Sequence, residues 1–167
     1  MSQKTKLSQM TAILLERARR FGVSDEVLLS SLKTNDTTPL KIAEDQHYHY
    51  DEFFTYAEKH GEDLEDTINN GYKMKFNTLG GLQIWMKECF GLEAGTDFTA
   101  SPGKIENVKL SIENISRIFN TLASNWIMLD SNRKPIFGED QSLLGDPKEI
   151  RIVHLFILSE YEAYKNE

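Results

Sequence analysis

The period of the hydrophobic residues changes at Tyr72, and this limits the folds open to the chain more than any other feature. Upstream, Leu7, Met10, Leu14, Ala18 and Phe21 recur at three- and four-residue steps; from Tyr72 onward, Tyr72, Met74 and Phe76 alternate with Lys73 and Lys75. The first spacing lines one face of a helix and the second lines one face of a strand. The sequence therefore reads as α+β. Residues 1–71 form a helical N-terminal region, and residues 72–167 form a small antiparallel sheet region closed by a C-terminal helix.

Punctuation supports the first part. Gly22 ends a helix over residues 5–21, Ser24 caps a second from Asp25 to about Lys33, and together they make a helix-turn-helix hairpin. Residues 35–39 read as a loop, a capped helix runs from Asp51 through Ala57, and a short acidic one runs from Leu64 to Ile68 before Asn69-Asn70-Gly71.

Beyond Tyr72, helical spacing returns over 79–90. Strands are expected at 97–99, 105–110 and 126–129, with a helix capped by Ser111 between the last two. The order is β-α-β-β-α-β, the split arrangement that sets two helices on one face of a sheet. A rival exists, because Ile105, Val108, Ile112, Ile115, Phe119, Leu122 and Trp126 also fit one heptad ladder, which would make the protein an all-α bundle. Leu110 would then be stranded on the exposed face of a segment rich in poor helix formers, which favours the strand-helix reading. Ile136-Phe137 reads as a short returning strand. Asp146-Pro147-Lys148-Glu149 carries an acidic cap, a first-turn proline and a reciprocal glutamate, and predicts a helix to about Tyr164 that is apolar on nearly all sides.

Composition narrows the function classes. The 167 residues carry 26 acids against 19 bases, a net charge of -7, and a single cysteine. No apolar run reaches the roughly 20 residues of a membrane span, and the opening residues lack a leader's apolar stretch, so a soluble cytoplasmic protein without disulfides is expected. Residues 1–24 hold five bases and one acid, whereas residues 25–71 hold twelve acids and three lysines. The densest acidic stretch, residues 51–66 with Asp51, Glu52, Glu58, Glu62, Asp63, Glu65 and Asp66, could meet a basic partner and even imitate nucleic acid. Tyr48 and Tyr50 beside it suit a recognition surface.

Other constellations each have a plainer reading. The hairpin resembles the generic DNA-reading motif, and Arg17, Arg19 and Arg20 could touch a phosphate backbone. Its second helix nevertheless opens with Asp25 and Glu26, which repel phosphate. In an extended segment His47, His49 and Asp51 would point to one side and could hold a metal for an enzyme, but no further ligand stands at a recognised spacing. Cys89 lies among Trp85, Met86 and Phe90 as a small hydrophobe, His154 as a core or boundary residue, His60 as an exposed one, and Gly80-Gly81 lacks the flanking residues of a phosphate loop. No catalytic residues, cofactor or metal are assigned. The expectation is a small acidic regulatory or inhibitory protein that binds a protein with a basic surface, with nucleic acid disfavoured, no membrane, and self-association left open. Its Asn, Lys and Ile content suits an A+T-rich bacterial or phage genome.

Overall fold

The computed structural model describes residues 4–136 and 145–166. The chain is mixed helix and strand and divides into two compact units, Met1–Lys75 and Phe76–Glu167. Among the described residues no helix is long and apolar enough to cross a membrane.

In the first unit, β1 (Thr5–Leu7) leads into α1 (Gln9–Arg20), and Gly22 at φ 92° turns the chain into α2 (Asp25–Thr34). The Ser24 hydroxyl accepts from the Val27 amide at 3.2 Å and caps α2, as its sequence indicates. A 3-10 turn, Thr38–Ala43, precedes α3 (Phe53–Lys59) and α4 (Leu64–Asn70), and Asp63 caps α4 through the Asp66 amide at 3.0 Å. Leu15, Leu28, Leu40, Phe53 and Leu64 are buried between these helices.

Two expectations are corrected here. The first residues expected in a helix form β1 instead. The Tyr72 strand, β2 (Tyr72–Met74), pairs parallel with β1, Thr5 opposite Tyr72 and Leu7 opposite Met74, and takes no part in the larger sheet. Its alternation is real, with Tyr72 and Met74 buried, but alternation specifies a buried face and not a partner.

The second unit holds α5 (Leu79–Phe90), capped by Thr78 through the Gly81 amide at 3.0 Å, then β3 (Thr99–Ser101), β4 (Lys104–Ser111), α6 (Ile112–Thr121), β5 (Trp126–Leu129), β6 (Ile150–Ile157) and α7 (Leu158–Lys165). The sheet is antiparallel in the order β3-β4-β6-β5. The heptad rival fails at Ser111: the chain is extended up to that residue, whose hydroxyl then caps α6 through the Asn114 amide at 3.3 Å. Asn77 is fully buried and braces the start of α5. Its Oδ1 accepts the Ala123 amide at 2.9 Å, and its carbonyl accepts Asn125 Nδ2 at 2.8 Å and Trp126 Nε1 at 2.9 Å.

The largest correction concerns the C-terminal helix, which is α7 alone. Ile150–Ile157 is a strand inserted between β4 and β5. From Val153 to Phe156 this strand is buried on both faces and so reads as a near-continuous apolar run, which periodicity cannot separate from a buried helix, while the β-branched Ile150, Ile152, Val153 and Ile157 prefer the extended form. Asp146 closes a turn instead of capping a helix: its Oδ1 accepts the Lys148 amide and its carbonyl accepts the Glu149 amide, both at 2.9 Å. Pro135 bridges to Leu129, while Phe137 of the expected returning strand lies outside the described residues.

Candidate functional site

Within the first unit, α3 and α4 gather the acidic stretch around a groove. Leu32 and Asn35 at the end of α2, Phe54, Ala57 and Glu58 of α3, and Glu62, Asp63, Leu64 and Glu65 at the start of α4 line an open concavity of about 380 Å³. Helical spacing explains the arrangement. Phe54 and Ala57 share one face of α3 and supply apolar surface, with Glu58 beside them on the solvent side. Gly61, at φ 67°, breaks the helix and brings the next acids round. Glu58, Asp63 and Glu65 are exposed on the rim, and no ion pair engages Glu58 or Glu65 among the described residues.

Glu62 is different. Its side chain is fully buried, its Oε1 accepts the Ser8 amide at 3.0 Å, and its Oε2 accepts the Ser8 hydroxyl at 2.6 Å and Lys75 Nζ at 2.8 Å. Burial raises this carboxyl's pKa, but Lys75 and the two Ser8 donors outweigh it and hold the group below its ordinary value. It therefore joins β1, β2 and the entry to α4, and its carboxylate is spent inside the fold. Asp66 is half-buried and accepts Thr5 Oγ1 at 2.6 Å and Asn70 Nδ2 at 2.8 Å. The Thr5 hydroxyl first, then Asn70, lowers its pKa.

A second groove of about 230 Å³ lies on the other flank of α3, lined by Met10, Thr11, Leu14, His49, Glu52, Phe53 and Tyr56. Asp51 is exposed and sits 3.8 Å from Lys41 Nζ. Tyr50 is buried, with its hydroxyl donating to the Leu14 carbonyl at 2.6 Å, so it serves the core and is removed from any recognition surface. Tyr48 is half-buried beneath the Arg17 guanidinium, 4.4 Å from its ring centre. Of the expected partner-facing set, then, Asp51, Glu52, Asp63 and Glu65 stand at the surface, while Tyr50 and Glu62 do not.

The arginines are also committed. Arg17 is buried, donates to the Ala43 carbonyl at 2.6 Å and to Asp45 at 3.2 Å, and so anchors the loop that leads to Tyr48. The His47 amide, and after it the Tyr48 amide and the Arg17 charge, hold the Asp45 carboxyl low. Arg19 pairs with Asp25 at 2.9 Å, and Arg20 is exposed over the Phe21 ring. The hairpin thus offers α2's acidic opening, Asp25 and Glu26, together with Arg20, where a DNA reader needs several cations.

Among the described residues no three His, Cys, Asp or Glu side chains gather as a ligand set, so His47, His49 and Asp51 do not converge. The Asp45 turn separates them: the His47 amide donates to Asp45 at 2.7 Å, which bends the segment that a shared side would require to be extended. His60 is exposed and stacks on Tyr56 at 4.0 Å. Cys89 is half-buried and not enclosed. The Gly81 amide is taken by the Thr78 cap. Lys73 lies in β2 and Lys75 follows it, so neither is a residue of the four-stranded sheet, and Lys75 is paired with Glu62. Glu58 belongs to the acidic stretch expected to meet a partner; its spacing of four from Phe54 sets it beside the apolar face of α3 at the groove.

Compared with protein family models, curated proteins and solved structures, the chain matches none.

Proposed function

We propose that this is a non-catalytic regulatory or inhibitory protein whose first unit grips a basic protein segment through the groove between α2, α3 and α4. The observation that carries this reading is an apolar floor of Leu32, Phe54, Ala57 and Leu64 rimmed by the exposed carboxylates of Glu58, Asp63 and Glu65. That combination suits an arginine or lysine side chain, whose aliphatic stem lies on apolar surface while its cationic end meets carboxylate. The rim charges add long-range attraction, so association should be fast and should weaken with salt.

The test is capture of binding proteins by the wild type and by the double charge reversal Glu58→Lys, Glu65→Lys, followed by titration of the captured protein against both. The reading expects a basic partner whose affinity falls at least about tenfold in the variant and declines with added salt. A partner bound equally by both forms, at any ionic strength, would remove the groove from the function.

A further inference from the structure

β4 carries one residue more than its neighbour. Ile105 stands opposite Leu155 and Val108 opposite Val153, so Glu106 and Asn107 together face His154 of β6. A bulge of this kind leaves an amide without a place in the ladder, and an unpartnered amide inside a sheet is costly. The side chain across from it supplies the acceptor: the Asn107 amide donates to His154 Nδ1 at 3.0 Å. Asn107 is held at φ 59°, in the left-handed region, to make that contact, and His154 is 3% exposed.

The other flank of His154 pairs with Leu129, the last residue of β5. The turn that follows is closed by the Arg133 amide donating to the Asp130 carbonyl at 2.9 Å. Arg133 then sends Nη2 back to Glu106 Oε2 at 2.7 Å, while its Nη1 is buried without a hydrogen-bond partner. Both residues of the bulge are thereby tied across β6, one to the imidazole and one to the turn. The charged groups facing His154 are Glu106 from β4 and Arg133 and Asp130 from the turn.

Nδ1 can accept only while it carries no proton; the imidazolium has N–H at both nitrogens and would set donor against donor at Asn107. It would also add a cation beside Arg133. We propose that His154 is a pH-operated clasp, whose neutral imidazole closes the β4 bulge and whose protonation opens the bulge and frees the turn at residues 130–135. Burial first, then Arg133, holds the imidazole below its ordinary value, against the opposite pull of Glu106, the Ser131 backbone and Asp130. The sign follows: the contribution to stability is intact above the ordinary histidine range and is lost as pH falls through the depressed folded value.

The experiment is an NMR titration of the full chain from about pH 7.5 to about pH 5, following the four imidazoles and the hydrogen-exchange protection of the Asn107 and 130–135 amides, corrected for intrinsic exchange. His154 should titrate below the ordinary histidine value. Protection at Asn107 should fall about tenfold with the same midpoint, on the scale set by a buried amide losing its partner. In His154→Gln, whose amide oxygen accepts without titrating, that protection should stay flat across the range. If this variant does not fold, the matching midpoints of His154 and Asn107 in the wild type decide alone. The proposal is overturned if Asn107 and the turn amides do not follow the His154 titration, or if they respond equally in His154→Gln.

Discussion

Replacing Glu62 by Gln removes one charge and almost no volume, so it isolates what the buried carboxylate does. In the wild type, two oxygens receive three donors, from the Ser8 amide at 3.0 Å, the Ser8 hydroxyl at 2.6 Å and Lys75 Nζ at 2.8 Å. A glutamine oxygen at the Oε2 position keeps the Ser8 hydroxyl and Lys75 but sets the amide nitrogen against the Ser8 amide, and at the Oε1 position it sets that nitrogen against Lys75. Hydrogen bonds to a charged group contribute about 1.5–3 kcal/mol each, and part of that survives in a neutral acceptor. Lys75 is 41% exposed and recovers hydration once released, so its loss stays below that of a pair buried on both sides. The expected cost is about 2–3 kcal/mol near neutral pH, read as a lower urea midpoint for the first unit. Because the folded carboxyl titrates below its ordinary 4.5, its contribution is complete above that value and is lost as pH falls through the folded one. The gap between wild type and variant must therefore narrow in acid. A gap under about 0.5 kcal/mol at neutral pH, or one that persists unchanged in acid, would refute the argument.

Two further perturbations probe the second unit. Asn77→Ala leaves the Ala123 amide without its acceptor at a fully buried position, while the main-chain carbonyl that receives Asn125 and Trp126 remains, and should cost about 1–3 kcal/mol by urea denaturation. Asn77→Asp, which keeps an oxygen in place, should recover part of the loss unless burial of its charge dominates, in which case recovery appears on lowering the pH. Gly103→Ala forces a side chain into φ 74° with its Cβ 2.9 Å from Ile157 Cγ2, and should lower stability by at least about 1 kcal/mol in thermal unfolding. A neutral result there would mean that the β3–β4 turn relaxes freely.

How much of this was legible in the residues depended on whether each element announces itself locally. α2, α5 and α6 were readable because Ser24, Gly91 and Ser111 mark their ends and each shows one apolar face. β6 was not, since both faces are covered from Val153 to Phe156 and Ile150 and Ile152 stay apolar although exposed, so nothing within Ile150–Ile157 separates a strand from a buried helix. The β1–β2 pair was hidden for another reason: three residues at Thr5 and three at Tyr72 find each other across most of the first unit, and no local signal records such a partner. The acidic stretch was visible as composition, but which acids face solvent was not. Glu62 and Glu65 look alike in sequence, yet one is walled in by Ser8 and Lys75 and the other stands on the groove rim. The β4 bulge is subtler still, because one surplus residue shows only once the opposing register is known.

The position of β6 has a consequence for how the second unit comes into being. β4 and β5 are neighbours in sequence but not in the sheet; the strand that joins them is made last of the three. Until it emerges from the ribosome, both keep a row of open main-chain groups, and nascent chains halted before Ile150 should be sticky and prone to clump rather than partly native.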